Sequence, residues 1–371
     1  MNIAILGQQM GDEGKGRVVH DFSPDYDWVI RFNGGANAGH TIYRDGVKFV
    51  HNLMPSFDWR SKRPKAFLGS GMVIDLNQLL KEVEDLYSVN PEAVSRVYVD
   101  WNAFIVTEQH KEEDRANNKG IGTTNRGIGP AYRDKIYRKG QRICDVSSSN
   151  EYSQLITKLK SLGVNFVDAL ELYDQMSKSS LLFEGAQGIM IDINHGTYPY
   201  VTCSEATIAG AYSSGFTFPI SKVYGIGKCY STRVGEGPFP TEIFGEEANM
   251  LREAGNEYGA TTGRPRRVGW LDLPALSYAC KVGGITDVIL TKFDILNNLP
   301  IVRIATEYEN LVPTSPKHFF TAKPKYTTVP GWKDAKNVEE LKLFLDTVTS
   351  YTGMNISHIS CGTSPDDLIK L

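Results

Sequence analysis

Short apolar runs, rich in β-branched residues and bounded by Gly, Asp or Asn, recur along the chain. Runs of this length and composition are typical of strands that are buried on both faces of a sheet. We therefore predict strands in the segments MNIAIL, WVIRF, SRVYVD, SLLFEG, DVILTK and NISHIS.

Helical patterns separate several of these strands. In the segment DLNQLLKEVEDLY the apolar residues recur at helical spacing behind Asp75, which we predict to cap a helix. In the segment NVEELKLFLDTV, Asn337 and Glu340 stand at the spacing of a capping box, ahead of a second apolar stripe. Both stripes are typical of helix faces that pack on a core.

Strands that alternate with helices predict an α/β fold. We predict a single large domain over residues 1–371, because no linker or repeat marks a boundary. It is expected to surround a mainly parallel, twisted sheet with P-loop-like nucleotide-binding loops and irregular excursions. The stretches 116–142 and 185–215 fit neither period and are rich in Gly, Thr and Arg, so we predict functional loops there.

Composition narrows the classes of function. The 371 residues are 41% hydrophobic and 22% charged, as in ordinary globular proteins, and the net charge of −3 argues against a nucleic-acid partner. No export signal and no membrane-spanning apolar run is visible, so we expect a cytoplasmic protein without a membrane partner, or one of the host cytoplasm if the chain is viral. The five cysteines are scattered and form no C-x-x-C pair, which argues against a disulfide scaffold or a zinc site.

The first candidate site is GQQMGDEGKG, directly after the first predicted strand. Glycines around Lys15 and a following helix start would offer backbone N–H groups, a helix dipole and an ammonium to phosphate. The strict Walker spacing fails, because Gln9 stands where that motif needs glycine and Gly16 replaces its Ser or Thr. The alternative is a tight strand-to-helix turn with a solvated acid pair, Asp12 and Glu13.

A carboxylate in a phosphate-binding turn calls for a chemical role. Asp12 would fit there if it held Mg²⁺ against phosphate oxygens, or if it took a proton from the group that attacks the phosphate. The second glycine-rich loop, RFNGGANAGHT, offers amide contacts from Asn37 and, in His40, a side chain that can stabilise a reacting oxygen. A histidine in a loop is otherwise structural or solvated.

Three further segments suit nucleotide or acidic ligands. TKFD, at residues 291–294, is similar to the guanine reader N-K-x-D, in which the aspartate accepts from the N1 and N2 donors of the base. GATTGRPRRVGW groups arginine forks that fit phosphate or carboxylate oxygens, although it could also be a solvated basic loop. GTTNRGIGPAYRDKIYRKG combines hydroxyls with arginines in the same way.

Together these segments resemble a known family. GDEGKG, NAGHT, GTTNRGIGPAYRDK, EGAQGIMIDINHGTYPYVT, STRVGEGPFPTE, YGATTGRPRRVGWLD and TKFD occur in the order seen in adenylosuccinate synthetases, from residue 1 to about residue 362. The resemblance implies a carbon–nitrogen ligase of purine biosynthesis that joins L-aspartate to IMP and uses GTP. It also implies a cytoplasmic homodimer that binds Mg²⁺.

The resemblance implies roles for individual residues. Asp12 would remove the purine N1 proton, so that the 6-oxygen attacks the γ-phosphate, and His40 would stabilise the charge that develops. Lys15 and Gln187 complete the catalytic group. Mg²⁺ would be held by Asp12 and the carbonyl of Gly39.

The binding residues that the resemblance implies fall into three sets. The substrate nucleotide, a purine nucleoside monophosphate, would contact Asn37, Thr124, Gln187, Thr202, Val234 and Arg264, with Arg138 reaching in from the neighbouring subunit. Aspartate would contact Ala260, Thr261, Thr262, Gly263 and Arg264. The nucleoside triphosphate would contact Gly11, Asp12, Glu13, Gly14, Lys15, Gly16, Arg17, Gly39, His40, Thr41, Arg266, Lys292, Phe293, Asp294, Ser360, Cys361 and Gly362.

Two alternatives stay open at this point. One is a viral or archaeal-like member of the family that condenses aspartate with dGMP and takes ATP, dATP or GTP as donor. The unusual run CSEAT and the short chain favour it, whereas the presence of Asp12 favours IMP. The other is a GTP-binding regulatory module without ligase activity. It would leave two segments without a function: EGAQGIMIDINHGTYPYVT and GATTGRPRRVGW, the arginine loop.

Overall fold

A computed structural model describes residues 1–44, 47–116, 120, 122–148, 151–259 and 263–371. Within those residues it has eleven α-helices, which are α1 (Lys15–Phe22), α2 (Leu76–Val89), α3 (Pro91–Val94), α4 (Glu108–Ala116), α5 (Ile128–Ile136), α6 (Glu151–Leu162), α7 (Tyr173–Ser177), α8 (Ala209–Ser213), α9 (Gly245–Gly255), α10 (Leu273–Gly283) and α11 (Val338–Thr352).

The same residues form eighteen strands. These are β1 (Ile3–Gly7), β2 (Trp28–Arg31), β3 (His40–Arg44), β4 (Val47–His51), β5 (Lys65–Leu68), β6 (Val73–Ile74), β7 (Val97–Asp100), β8 (Phe104–Ile105), β9 (Asn165–Val167), β10 (Leu181–Glu184), β11 (Lys222–Lys228), β12 (Tyr230–Arg233), β13 (Arg267–Asp272), β14 (Asp287–Thr291), β15 (Ile301–Tyr308), β16 (Pro324–Pro330), β17 (Asn355–Ser360) and β18 (Leu368–Lys370).

A large sheet organises the molecule, with the strand order β18-β17-β14-β11-β1-β10-β2-β5-β7-β9. Its neighbouring strands pair in parallel, apart from the antiparallel pair β17–β18. The predicted α/β fold around a mainly parallel sheet is therefore confirmed, and each of the six predicted strands lies in this sheet. Strands β5, β9, β11 and β18 of this sheet were not predicted. The β11 segment KVYGIGK is interrupted by glycines and so shows no continuous apolar run.

The core lies on both faces of this sheet. Ala4 and Leu6 of β1 belong to one buried cluster, whereas Ile3 and Ile5 belong to another. Successive side chains of a strand point to opposite faces, so the two clusters cover the two sides of β1. Smaller sheets are separate from the main one. One has four strands in the order β12-β13-β15-β16, and another is the two-stranded antiparallel sheet β3–β4.

Helix starts test two of the predictions. The Asp75 carboxylate accepts from the N–H groups of Asn77 and Gln78, so the predicted cap of α2 is confirmed. The capping box at α11 is wrong, because Asn337 makes no side-chain cap hydrogen bond among the described residues. Its Nδ2 instead donates to Glu340, which also accepts from the backbone N–H of Lys333.

The two stretches predicted to be irregular contain more structure than their sequences indicate. Helix α5 lies within 116–142, and α8 lies within 185–215. Helix α5 buries only Ile128 and Ala131, which is too narrow an apolar face to produce a clear period. No helix in the described part of the chain is long and apolar enough to cross a membrane.

Candidate active site

The loop between β1 and α1 places Asp12 at the carboxyl edge of the central strand. Gly11, Asp12 and Gly14 all have positive φ, of 92°, 61° and 91°. Gly14 is the N-cap of α1, so the loop turns sharply and then enters the helix. The Asp12 side chain is 32% exposed and is therefore accessible to a ligand.

Glu13, the other acid of the pair, is fully buried. Its Oε1 accepts from the backbone N–H groups of Gln9 at 3.1 Å and Gly11 at 2.9 Å, and its Oε2 accepts from Lys15 Nζ at 2.6 Å. The alternative of a solvated acid pair is thus wrong for Glu13, which stabilises the loop from inside. Lys15 is also buried, and it pairs with Glu13.

His40 begins β3 and is held by a buried carboxylate. Its Nδ1 donates to Glu184 Oε1 in a short contact, and lies 3.3 Å from Ser56 Oγ. Glu184 also accepts from the backbone N–H and the hydroxyl of Ser56, both at 2.7 Å. A neutral imidazole protonated on Nδ1 carries its lone pair on Nε2, so this contact fixes both the ring and the tautomer. A Cβ at Gly16 would lie only 2.5 Å from the Cβ of His40, so α1 packs directly on this histidine.

The charge of Glu184 is stabilised by its neighbours. Burial alone would raise the pKa of Glu184, but the His40 imidazole, the Arg31 guanidinium and the Ser56 hydroxyl lower it to about 2. Glu184 was not among the predicted site residues. The available signal was a carboxylate at the end of an otherwise apolar strand, a position from which side chains reach the ligand edge of a parallel sheet.

Two predicted substrate-binding side chains carry unsatisfied polar atoms. Gln187 Nε2 and Thr202 Oγ1 are buried and have no hydrogen-bond partner within the described residues. Buried polar atoms normally have partners, so these two point to a ligand. The next residue, Gly188, packs on the loop between β1 and α1, the predicted phosphate loop. A Cβ at Gly188 would lie 2.7 Å from the Gly11 nitrogen.

Other predicted substrate residues come together on loops. A Cβ at Gly122 would lie 3.1 Å from the Cα of Gly235 and 3.3 Å from a guanidinium nitrogen of Arg264, so the segments that carry Thr124, Val234 and Arg264 converge. The side-chain oxygen of Asn37 accepts from the backbone N–H of Gly35, which is a contact within its own loop. Gly263 donates its N–H to Gly259. The predicted aspartate ligands Ala260, Thr261 and Thr262 lie outside the described residues.

The residues predicted to bind the nucleoside triphosphate meet at the ends of β14 and β17. Arg17 donates to Ser360 Oγ at 2.7 Å and to the carbonyl of Gly362, which joins α1 to the loop after β17. Lys292, with φ 70°, donates to the carbonyl of Gly255 at 3.0 Å. Asp294 Oδ1 is buried without a partner among the residues described. Burial raises the pKa of Asp294, and the charge of Lys292 opposes that rise.

Two of the residues predicted to bind the nucleoside triphosphate have side chains that point away from this edge. Phe293 is buried against Trp332 and Phe344. The Cys361 thiol donates to the carbonyl of Ala335 at 3.0 Å. Both side chains therefore pack into the core. Gly39 and Thr41 flank His40, where the loop after β2 enters β3.

A second charged pair connects the phosphate loop to the arginine loop. Arg266 Nε lies 2.9 Å from Asp12 Oδ2, and another nitrogen of Arg266 donates to Glu257 Oε2 at 2.5 Å. Burial alone would lower the pKa of Arg266, but Asp12 and Glu257 outweigh it and raise that pKa. The arginine loop is thus not simply solvated.

Asp12 is the carboxylate predicted to hold Mg²⁺ together with the Gly39 carbonyl. No group of three or more His, Cys, Asp or Glu side chains that could hold a metal occurs within the described ranges. A pair of one carboxylate and one carbonyl, as predicted, would suit Mg²⁺, which takes hard oxygen ligands and completes its shell with water and phosphate oxygens. It does not suit zinc, which prefers several nitrogen or sulfur ligands.

Two solved structures are similar to this chain in fold. The fully ligated adenylosuccinate synthetase of Plasmodium falciparum superposes with a TM-score of 0.88 at 31% identity, over 100% of this chain and 99% of that one. The succinoaminodeoxyadenylate synthetase of cyanophage S-2L, bound to dGMP and dATP, superposes with a TM-score of 0.72 over 100% and 95%. At 22% identity, that second likeness shows the fold alone.

Sequence relatives agree. This chain is 44% identical to the adenylosuccinate synthetase of Petrotoga mobilis, over 99% of this chain and 96% of that protein. It is 38% identical to the enzyme of Thermotoga maritima over the full length of both. The family profile described as adenylosuccinate synthetase matches residues 4–164 and 147–369. The chain belongs to the adenylosuccinate synthetase family and is a ligase that forms a carbon–nitrogen bond.

Proposed function

We propose that this enzyme joins L-aspartate to the C6 position of IMP at the expense of GTP. The observation that carries the proposal is that the segment with the partnerless Gln187 Nε2 packs against the phosphate loop that carries Asp12. A purine bound to Gln187 would then lie beside the Asp12 carboxylate. Membership of the family favours this activity over a regulatory GTP-binding module.

The chemistry follows from the need for a leaving group. A carbonyl oxygen is a poor leaving group for an amine, and phosphorylation converts it into a good one. Asp12 takes the N1 proton of IMP, the 6-oxygen attacks the γ-phosphorus of GTP, and the bond to the β-phosphate oxygen breaks to release GDP. The amine of aspartate then attacks C6, and the 6-oxygen leaves with inorganic phosphate. A positioned base contributes roughly 10²- to 10⁴-fold in rate.

His40 is proposed to stabilise the negative charge on the transferred phosphoryl group. Its support is the Glu184 carboxylate, which fixes the ring from the Nδ1 side. To donate from Nε2 the ring must carry a proton on both nitrogens; burial lowers the pKa of His40, and the Glu184 carboxylate opposes that effect and stabilises the imidazolium. An imidazolium held in this way costs no reorganisation when charge develops in the transition state. Lys15 is proposed to act on the same phosphates from its position beside Glu13.

Enzymes of this family require Mg²⁺. We propose that the Asp12 carboxylate and the Gly39 carbonyl bind it together with phosphate oxygens. The ion, when bound, neutralises charge on the phosphates of the donor. Because Asp12 has two carboxylate oxygens, it can contact a cation and still accept a proton.

The preference for GTP is proposed to lie in Asp294. Its partnerless Oδ1 is suited to accept from the N1–H or the 2-amino group of guanine, which adenine lacks. The Arg17 contacts to Ser360 and Gly362 tie α1 to the loop after β17, which is also proposed to contact the donor nucleotide. A donor with an adenine base would leave Asp294 unpaired, at a cost in affinity.

The proposed homodimer rests on the surface around Arg138. Arg138 is exposed, with φ 60°, and it follows Ile136 and Tyr137, whose side chains are 76% and 67% exposed. Neighbouring apolar side chains of this size at a surface are typical of an interface. We propose that a second copy covers them, and that Arg138 enters the site of that copy. The cytoplasmic location and the single domain over residues 1–371 stay predictions.

The test is a substrate matrix. The purified enzyme is incubated with aspartate, Mg²⁺, either IMP or dGMP, and either GTP or ATP, and the product is identified by ultraviolet absorbance and mass spectrometry. We expect product from IMP with GTP. Product from dGMP alone would show instead the viral type of activity.

The Asp12→Asn variant tests the mechanism in the same assay. It should lose roughly 10²-fold or more in kcat, because an amide does not accept the N1 proton. The matched control is Asp346→Asn, which removes an exposed carboxylate on α11 and should leave kcat unchanged. Near-normal turnover by Asp12→Asn would contradict its role as the base.

A further inference from the structure

Behind the phosphate loop, four charged side chains form a continuous line from the interior to Asp12. Lys228 Nζ donates to both carboxylate oxygens of Glu257, at 2.8 and 2.9 Å. Glu257 Oε2 accepts from Arg266 at 2.5 Å, and Arg266 Nε lies 2.9 Å from Asp12 Oδ2. Lys228 and Glu257 have no assigned role in substrate binding.

The inner half of this line is closed to solvent. The side chains of Lys228 and Glu257 are both 0% exposed, whereas those of Arg266 and Asp12 are 10% and 32% exposed. Substrates can therefore reach Arg266 and Asp12 but not the inner pair. Burial opposes the charge of Glu257, but Lys228 and Arg266 lower its pKa to about 2.

The backbone ties the same residues together. The N–H of Arg266 donates to the carbonyl of Glu257 at 2.9 Å, so Arg266 is anchored on Glu257 by both main chain and side chain. The Gln9 side chain accepts from the N–H of Lys228 at 3.1 Å and donates to its carbonyl at 3.2 Å. Gln9 follows β1 and precedes Asp12 in the same loop, so the buried pair is fixed to the loop that carries Asp12.

The charges explain why a buried carboxylate is needed. Lys228 and Arg266 carry two positive charges and Glu257 one negative charge, which leaves one positive charge to be balanced at the outer end. In the structure Asp12 balances it. When Asp12 binds a metal ion or accepts a proton, the same positive charge is left for a phosphate oxygen of the donor.

We propose that Glu257, with Lys228 behind it, is a positioning residue that aims the Arg266 guanidinium at Asp12 and at the phosphates of the nucleoside triphosphate. The inference rests on the proposed function, because it needs donor phosphates at the Asp12 loop. Glu257 acts only through Arg266 and does not touch substrate.

A double-mutant cycle tests the inference. Glu257→Gln should raise the Kd for a non-hydrolysable GTP analogue by at least about tenfold in equilibrium titration, since the arginine loses a charged anchor. In an Arg266→Met background the same change should raise the Kd by less than about twofold, because the residue through which it acts is gone. The KM for aspartate should stay unchanged.

The matched control is Thr232→Val. It removes one hydrogen bond to Lys228 Nζ but leaves the contact between Glu257 and Arg266 in place, so the Kd for the analogue should stay unchanged. A merely structural brace would lower the melting temperature in all these variants without raising the Kd, and that result would overturn the inference. Equal losses from Glu257→Gln in both backgrounds would also overturn it.

Failure of the proposed function gives a different result. If Arg266→Met itself left the affinity for the analogue unchanged, the donor site would be misplaced. If Arg266→Met weakened binding and Glu257→Gln did not, the positioning role alone would fail. Should Glu257→Gln not fold, Glu257→Asp keeps the charge beside Lys228 and withdraws it from Arg266 by one methylene, and the same cycle then applies.

Discussion

At the scale of single residues, the buried carboxylates of this enzyme serve functional side chains. Glu13 stabilises the phosphate loop, Glu184 fixes His40, and Glu257 contacts Arg266. A carboxylate that is taken out of water must be paired or fully hydrogen-bonded, and each of these three is. The contacts that offset the free energy of burying these carboxylates therefore also hold the site residues in place.

Glu184→Gln tests this at His40, the proposed catalytic histidine. An amide can still accept from His40, but it neither carries the charge nor satisfies both the histidine and the Ser56 groups equally well. We expect kcat to fall about 10- to 100-fold, the usual worth of a group that orients a functional imidazole, with little change in KM. Steady-state kinetics measure this, and a melting curve separates it from unfolding. An unchanged kcat would mean that His40 does not need Glu184.

At the scale of elements, a buried carboxylate caps one of the helices. Asp272 is the N-cap of helix α10, and its Oδ1 accepts from the N–H of Ala275. The hydroxyl of Tyr308 lies 2.7 Å from both carboxylate oxygens. Burial raises the pKa of Asp272 to about 6, because the hydrogen bonds do not fully replace water. The folded protein thus binds this proton more tightly than the unfolded chain does.

This carboxyl predicts a pH dependence of stability. Its contribution is fully present below the unfolded pKa of 3.8 and is lost as pH rises through about 6. The loss is on the order of 3 kcal/mol at 1.36 kcal/mol per pKa unit. Asp272→Asn keeps an N-cap acceptor without the charge. Its melting temperature relative to the wild type should therefore rise between pH 4 and pH 7, as measured at about equal ionic strength. A constant difference across that range would contradict this account.

The approach of helix α1 to strand β3 gives a second prediction at this scale. Gly16→Ala would place a Cβ 2.5 Å from that of His40, so helix or histidine must move. We expect roughly 1–3 kcal/mol of destabilisation, together with loss of activity. Gly129→Ala in α5 is the control, since its nearest atom would be 3.5 Å away, an ordinary contact. Denaturant unfolding and kcat measure the two effects, and a fully active Gly16→Ala would show that His40 tolerates displacement.

At the scale of the whole molecule, the site is proposed to be complete only in a dimer. Arg138→Ala and Asp12→Asn are then each inactive, but they damage opposite sides of the same composite site. Mixing the two variants in equal amounts under subunit exchange should restore about a quarter of wild-type activity, because half of the dimers are mixed and each mixed dimer has one intact site. Activity after mixing measures this. No recovery, with exchange verified by mass spectrometry, would place Arg138 in its own subunit's site or outside any site.

The local pattern of the chain was enough to predict six of the ten strands of the main sheet, the α/β class and the cap of α2 at Asp75. These depend on periodicity and on side-chain chemistry within a few residues. Helix α5, strand β11 and the failed capping box at Asn337 escaped it. For α5 and β11 tertiary contacts, rather than the local sequence, supplied the stabilising partners. At Asn337 the competing contacts are local, because Glu340 accepts from Asn337 Nδ2 and from the N–H of Lys333.

Sequence by itself predicted which loops carry phosphate and purine chemistry, and its family pattern determined that the chain is a carbon–nitrogen ligase. Tertiary structure decided how those loops are supported: that Glu13 is buried, that Glu184 holds His40, and that Lys228 and Glu257 hold Arg266. Glu184 lies 144 residues from His40 in the chain, and Lys228 lies 29 residues from Glu257. No local period encodes such pairs, because they form only when parallel strands bring distant loops to one edge of the sheet.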